Sequence, residues 1–280
     1  QFNLNDIICL DCHNKTPILQ LADIMIKLHD LFINLKPLYV VVFGDVNSAL
    51  GAAITANKMG ISLIHIESGN RSFDTSMPEE INRKIIDSLS NYLFVSEPNG
   101  ISNLLNEGII TYHDVDKKCH YVGNPMIDTL FYFKDDAFNM HTYKQYGLQM
   151  SNYILMTLHR PSNIDDNQQF QEIMDLVIFF FLFYKVIISM HPRGETKISD
   201  YLKGEDNVML LKAQAYLDFI SLMIHSGIVV TDSGGIQEET TALGIPCITL
   251  RKNTERPITV THGSNKIFEI INCNDIDEYI

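Results

Sequence analysis

Positive charge is scarce in this sequence: 21 Lys and Arg stand against 34 Asp and Glu, a formal net charge of −13. That balance argues against a general nucleic-acid binder or an anionic-membrane binder, so any phosphate it holds must sit in a local pocket. Long apolar runs are also missing. The longest, Leu176 to Tyr184, is far short of the ~18 to 20 residues that a spanning helix needs, and no membrane segment is expected. Cysteine is sparse: Cys9, Cys12, Cys119, Cys247 and Cys273 are odd in number and widely spaced. They do not read as a disulfide framework, and a reducing cytoplasm is the expected compartment.

Several chemical signatures are absent as well. No His and Cys cluster has zinc spacing, and no G-x-S-x-G elbow or H-E-x-x-H occurs, so neither a metal site nor serine-hydrolase chemistry is supported. The Walker pattern and the G-x-G-x-x-G fingerprint are missing too. Cys9-Leu10-Asp11-Cys12-His13 has the form of c-type haem attachment, but neither an export signal nor a haem pocket accompanies it, and it is read as chance. The chain opens at Gln1 without a signal pattern, so Gln1 is not a native start and a fragment is expected.

What is present is ample for folding: 46% hydrophobic residues in a chain of 280, which at roughly 150 residues per domain suggests two domains. Ile18 to Ile33 repeats apolar positions at helical spacing, and Tyr39 to Phe43 follows as a continuous apolar run, read as a buried strand. Helices at Asn47–Lys58, Glu79–Leu89 and Asn99–Asn106 alternate with strands at Ser62–Ile66, Tyr92–Val95 and His120–Val122. The rhythm fades over residues 131 to 150 and resumes with a strand at Tyr153–Leu158. Alternation of this kind means βαβ units on parallel sheets. The expected domains are 1–140 and 141–280, both Rossmann-like, with no internal repeat.

In open parallel sheets ligands bind beyond the carboxyl ends of the strands. Asp45 follows the Tyr39 run, Glu67 follows the Ser62 strand, and Glu79 opens the next helix, so three carboxylates gather at one sheet end. Each has a plain alternative: Asp45 as a helix N-cap and Glu79 as a first-turn acid favoured by the helix dipole. Glu67 has no such N-cap role, and His65 beside it reads as a satisfied core histidine. Further along, Thr231-Asp232-Ser233-Gly234-Gly235 joins a strand to a helix and supplies the backbone amides, hydroxyl and helix N-terminus that hold phosphate. His159-Arg160 ends a strand, and Arg256 lies in Glu255-Arg256-Pro257; both add cations suited to an anion, or to plain surface exposure.

Six segments resemble the non-hydrolysing bacterial UDP-N-acetylglucosamine 2-epimerases, in family order. They are Phe43-Gly44-Asp45-Val46-Asn47-Ser48, His65 through Asp74, Met77 through Arg83, Thr157 through Pro161, Asp232 through Glu239 and Thr254 through Pro257. The resemblance implies a GT-B fold with the active site between two Rossmann-like domains, no redox cofactor or metal, and a homodimer. It implies interconversion of UDP-GlcNAc with UDP-ManNAc by elimination of UDP to a 2-acetamidoglucal and re-addition. By position, Asp45, Glu67 and Glu79 match the family's catalytic carboxylates and His159 its histidine near the leaving diphosphate. Arg83, Arg160, Ser233, Gly234, Glu239 and Arg256 fall on substrate-binding positions, Glu239 on the one that holds the ribose hydroxyls.

Two departures bear on what the chain acts upon. Ser68 stands where the family has alanine, and Asn70 stands where it has leucine; Asn there also occurs in relatives acting on diacetamido uronic acid sugars. The UDP-HexNAc substrate therefore stays open. The family's opening strand and G-T-R-P-E turn have no counterpart before Gln1, nor its terminal helix after Ile280. The competing readings are a hydrolysing epimerase that releases UDP and ManNAc, a binding-only UDP-sugar fragment, and a GT-B glycosyltransferase, which would not call for three carboxylates.

Overall fold

The computed structural model of the chain describes residues 7–12, 16–116, 118–205 and 207–268, with the side chain of Phe181 excepted. His13 of the haem-like pattern, Cys273 and both chain ends lie outside the described residues. The chain divides into two compact units, Gln1–Asn124 and Pro125–Ile280.

The first unit runs α1 (Pro17–Leu35), β1 (Tyr39–Phe43), α2 (Asn47–Lys58), β2 (Ser62–Ser68), α3 (Pro78–Leu89), β3 (Tyr92–Val95), α4 (Pro98–Asn106) and β4 (Cys119–Tyr121). The four strands are all parallel and lie in sequence order. Prolines open α1, α3 and α4, where a missing amide hydrogen costs nothing and the fixed φ suits the first turn. Val40, Val42 and Leu63 pack with Ile24 and Leu28 of α1, Ala53 of α2 and Ile86 of α3. Tyr39, Val41 and Phe43 are exposed, so β1 buries one face and not both. A continuous apolar run does not by itself tell one covered face from two.

The second unit runs α5 (Pro125–Met140), a 3-10 turn (Thr142–Tyr146), β5 (Tyr153–Leu158), α6 (Pro161–Ile164), α7 (Asn167–Phe181), β6 (Lys185–Met190), α8 (Glu195–Tyr201), β7 (Val208–Leu211) and α9 (Tyr216–Ile224). It continues through β8 (Ile228–Thr231), α10 (Gly234–Leu243), β9 (Cys247–Thr249), α11 (Pro257–Thr261) and β10 (Asn265–Ile267). Its six parallel strands are ordered β10-β9-β8-β5-β6-β7. Here the sheet is covered on both faces. Ile154, Met156 and Leu158 of β5 pack with α7, while Tyr153 and Leu155 pack with α5 and α9. The Leu176–Tyr184 run is the last part of α7 and the chain entering β6; Leu176, Val177 and Phe180 are core, whereas Leu182 and Phe183 are exposed.

The division at Asn124/Pro125 falls earlier than the 140/141 boundary expected from sequence. The cause is α5, whose aromatic and charged residues mask its helical pattern; its Leu130 and Ala137 are fully buried in the same cluster as Ile220 and Leu222 of α9. Two parallel α/β units of the GT-B class are the architecture expected. Among the described residues no helix is long and apolar enough to cross a membrane.

Candidate active site

At the carboxyl ends of β1 and β2 the backbone turns sharply. Gly44 has φ 61° and Gly69 φ 80°, and a Cβ on Gly69 would meet the Gly100 carbonyl oxygen at 2.6 Å, so only glycine fits there. Between them Glu67 also has a positive φ, 72°, in a region that costs a non-glycine residue about 1–3 kcal/mol. The β2–β3 register shifts at the same point, between Ile66 and Ser68. The Glu67 carboxylate thereby comes to the neighbouring turn: its Oε2 is 3.5 Å from where a Cβ on Gly44 would sit.

The N-cap of α2 is Val46, and no side chain caps it, which removes the capping reading of Asp45. Asp45 instead accepts from Arg83 through both Nε (3.1 Å) and the short contact to Nη2. Arg83 Nη1 donates to Glu80 at 2.8 Å, and Asn82 Nδ2 donates to the Asp45 carbonyl at 2.8 Å. Helix α3 thus grips the Asp45 turn through two adjacent residues. Arg83, read from sequence as a substrate ligand, spends its nitrogens on Asp45 and Glu80.

Glu79 is half-buried in the first turn of α3. Its neighbour Glu80 is fully buried and takes the amide of Ser72 at 2.9 Å, the Ser72 hydroxyl at 3.0 Å and the amide of Phe73 at 3.2 Å. Burial acts to raise its carboxyl, but these bonds and Arg83 outweigh it and hold the group below the usual range.

A second buried carboxylate, Asp87, joins the two turns. It meets His65 Nδ1 at 2.6 Å, the Gly69 amide at 3.2 Å and Arg71 Nη1 at 2.7 Å. His65 Nε2 lies 3.0 Å from the Gly44 carbonyl, so His65 is engaged at both nitrogens, as its core reading requires. Arg71 continues to Glu107 at 2.6 Å. Sequence reading singled out neither Asp87 nor the pairing role of Glu80; a carboxylate inside an amphipathic helix looks like any solvated one until its partners are known.

The second unit builds a different surface. Ser233 is the N-cap of α10 with no side-chain cap bond, so this helix N-terminus presents its backbone amides and a hydroxyl. Gln237 fixes the turn, donating to the Ser233 carbonyl at 3.0 Å and accepting from Thr254 at 2.7 Å and Asn265 at 3.1 Å. At Gly234 a Cβ would lie 2.6 Å from a Glu255 oxygen, so glycine lets that carboxylate reach the helix start. Glu255 meets Arg251 at 2.7 Å and Arg160 at 3.6 Å. Burial tends to raise the Glu255 carboxyl, but Arg251 and Arg256 outweigh it and hold it at about 2. Arg256 pairs with Glu238 at 2.8 Å. The cations read from sequence, Arg160 and Arg256, are thus preset by acidic partners that the sequence reading did not assign. His159 pairs with Asp232 at 2.7 Å.

Glu239 is buried and accepts from the Tyr216 hydroxyl at 3.1 Å. Burial pushes its carboxyl up to about 7, with the Tyr216 bond opposing and Glu238 adding to the rise. An acid raised from an ordinary value of 4.5 binds extra protons when folded, so its contribution to stability is best at low pH. That contribution is lost as pH rises through about 7, by roughly 3 kcal/mol. Glu239→Gln is therefore expected to raise the melting temperature by several degrees at pH 8 and by little at pH 5. Thermal denaturation at the two pH values checks it.

Among the described residues no group of three His, Cys, Asp or Glu could hold a metal ion. The profile of the UDP-N-acetylglucosamine 2-epimerase family matches residues 1–278. The UDP-N-acetylglucosamine 2-epimerase of Methanocaldococcus jannaschii is 37% identical over 256 residues, covering 88% of this chain and 69% of that protein. The UDP-2,3-diacetamido-2,3-dideoxy-D-glucuronate 2-epimerase of Pseudomonas aeruginosa is 36% identical over 258 residues, covering 91% and 70%. The crystal structure of the Methanocaldococcus jannaschii enzyme in complex with UDP-GlcNAc and UDP superposes with a TM-score of 0.85 at 35% identity, covering 93% of this chain and 73% of that one. In sequence and in fold, over nearly its whole length, the chain belongs to the UDP-N-acetylglucosamine 2-epimerase family of isomerases.

Proposed function

We propose that the chain is a non-hydrolysing UDP-GlcNAc 2-epimerase. The observation that carries this reading is the strained Glu67 beside the Gly44–Asp45 turn: a left-handed glutamate at a strand end is costly, and such strain clusters at functional sites. Carboxylates at this turn remove the proton at sugar C2. The electron pair left behind forms the C1=C2 double bond, the C1–O bond breaks, and its pair leaves on the β-phosphate oxygen. Addition runs the same steps backward with C2 protonated on the other face. A C2 hydrogen beside an acetamido group is weakly acidic, so the base must be held close and the leaving group stabilised at once.

Asp45, Glu67 and Glu79 supply the acid and base groups, with Arg83 holding Asp45 in place. Ser233 and the Gly234 amide, at the start of α10, take the diphosphate, with Arg160 and Arg256 beside them. Glu239 accepts the ribose hydroxyls. His159 donates to the departing diphosphate.

A second reading concerns the sugar alone. The Pseudomonas aeruginosa relative is 36% identical against 37% for the epimerase from Methanocaldococcus jannaschii, and Asn70 departs from the family's leucine, which favours a diacetamido hexuronate. Proton NMR of the chain with UDP-GlcNAc in heavy water tests both. Deuterium at C2 with UDP-ManNAc and no free sugar is the expected result. Free ManNAc with UDP would mean hydrolysis instead, and inertness toward UDP-GlcNAc with turnover of the UDP-diacetamido uronate would replace the substrate.

A further inference from the structure

His159 sits just after β5 with its side chain 36% exposed, and its Nδ1 lies 2.7 Å from Oδ1 of the fully buried Asp232. Asp232 also accepts the His159 amide at 3.0 Å, the Arg160 amide at 2.9 Å and Asn163 Nδ2 at 3.1 Å. Every other partner of this carboxylate is a donor. Burial acts to raise the Asp232 carboxyl, but the His159 ring and the two amides outweigh it and hold it below the usual range. An ionised carboxylate only accepts, so the hydrogen between the two side chains belongs to the ring nitrogen.

Resting on the function proposed above, we infer that Asp232 is the positioning residue of His159: it fixes the ring with Nδ1–H inward and leaves Nε2 as the atom that meets the diphosphate. Asp232 immediately precedes Ser233 and α10, so one residue sets both the imidazole and the start of the phosphate turn. The consequence is chemical. With Nδ1 committed to Asp232, a neutral ring shows the phosphate oxygens a bare lone pair, and only the imidazolium shows them an N–H. In that form Nε2–H points at the oxygen on which the C1–O electron pair departs, while Asp232 holds the other ring nitrogen. The His191 ring lies 5.8 Å from the His159 ring, and Arg160, next in the chain, pairs with Glu255 at 3.6 Å.

A purely structural Asp232 would be satisfied by the amides and Asn163 and would impose no tautomer. The test is nitrogen-15 NMR of the histidine side chains, with the His159 signals identified by their loss in His159→Asn. The expected neutral form carries its proton on Nδ1, opposite to the preference of imidazole in water; an Nε2–H form in the unaltered chain overturns the inference. In Asp232→Asn the carboxamide donates to Nδ1, so the ring is expected to switch to Nε2–H. The turnover number then falls at least about tenfold while KM stays within about threefold. A folded Asp232→Asn chain with unchanged kcat also overturns it. If that variant does not fold, the spectrum of the unaltered chain decides. If His159→Asn itself turns over normally while the Nδ1–H form is seen, the role given to His159 fails and the role of Asp232 stands.

Discussion

Glu67→Gln is expected to reduce epimerisation by at least about a hundredfold while UDP still binds, a loss in the range that removal of a placed acid or base produces. The carboxamide keeps the size and hydrogen-bonding reach of glutamate but cannot take a proton from carbon. Backbone strain is unchanged, because the positive φ is set by the turn and not by the side chain, so the melting temperature should barely move. The UDP contacts proposed above, Ser233, Gly234 and Glu239, all lie in the second unit, away from Glu67 in sequence, and calorimetry with UDP separates binding from turnover. Deuterium exchange at C2 is the direct measure of the step. Full activity in this variant would remove Glu67 from the reaction and, with it, the observation on which the functional reading rests.

Arg83→Met has the largest expected effect on stability. The guanidinium is almost fully buried and bridges Asp45 to Glu80, and Glu80 has no solvent to fall back on. Removing one partner of a buried ion pair costs about 3–5 kcal/mol, because the desolvation penalty stays while the attraction is lost; Glu80 keeps the Ser72 and Phe73 donors and Lys84 Nζ at 3.6 Å, which places the loss near ~3 kcal/mol. At roughly 2–4 °C per kcal/mol the melting temperature should fall by about 10 °C. Turnover should fall as well, since Asp45 loses the group that fixes it. Arg83→Lys keeps the charge but not the planar fork that serves both carboxylates, and it should recover part of the stability and less of the activity. Thermal denaturation beside kcat for the two variants separates the charge from the geometry.

The strands were legible because their apolar runs are short and bounded by polar or turn residues: Tyr39–Phe43, Tyr92–Val95 and Tyr153–Leu158 were expected at the bounds observed. The pieces that escaped have weak local signals. Helix α5 hides its apolar stripe among Tyr132, Lys134 and Asp135, and only contact with α9 reveals which side it buries. Short α8, α11 and β10 are too brief for any periodicity to develop.

The same division runs through the candidate site. Residue type and position after a strand were enough to pick out Asp45, Glu67, His159, Ser233 and Gly234, since the chemistry of strand ends in parallel sheets is general. The alternation of strands and helices, the two α/β units and the family motifs were likewise written in the chain itself. Partnership was not. That Arg83 serves Asp45, that Asp87 ties His65, Gly69 and Arg71 together, and that Asp232 turns the His159 ring depend on residues 16 to 73 positions apart. Sequence fixes which groups are available and roughly where each strand ends. Only the tertiary structure decides which of them are buried against one another, because a carboxylate acquires its charge state, its strain and its partner from the packing around it and not from its neighbours along the chain.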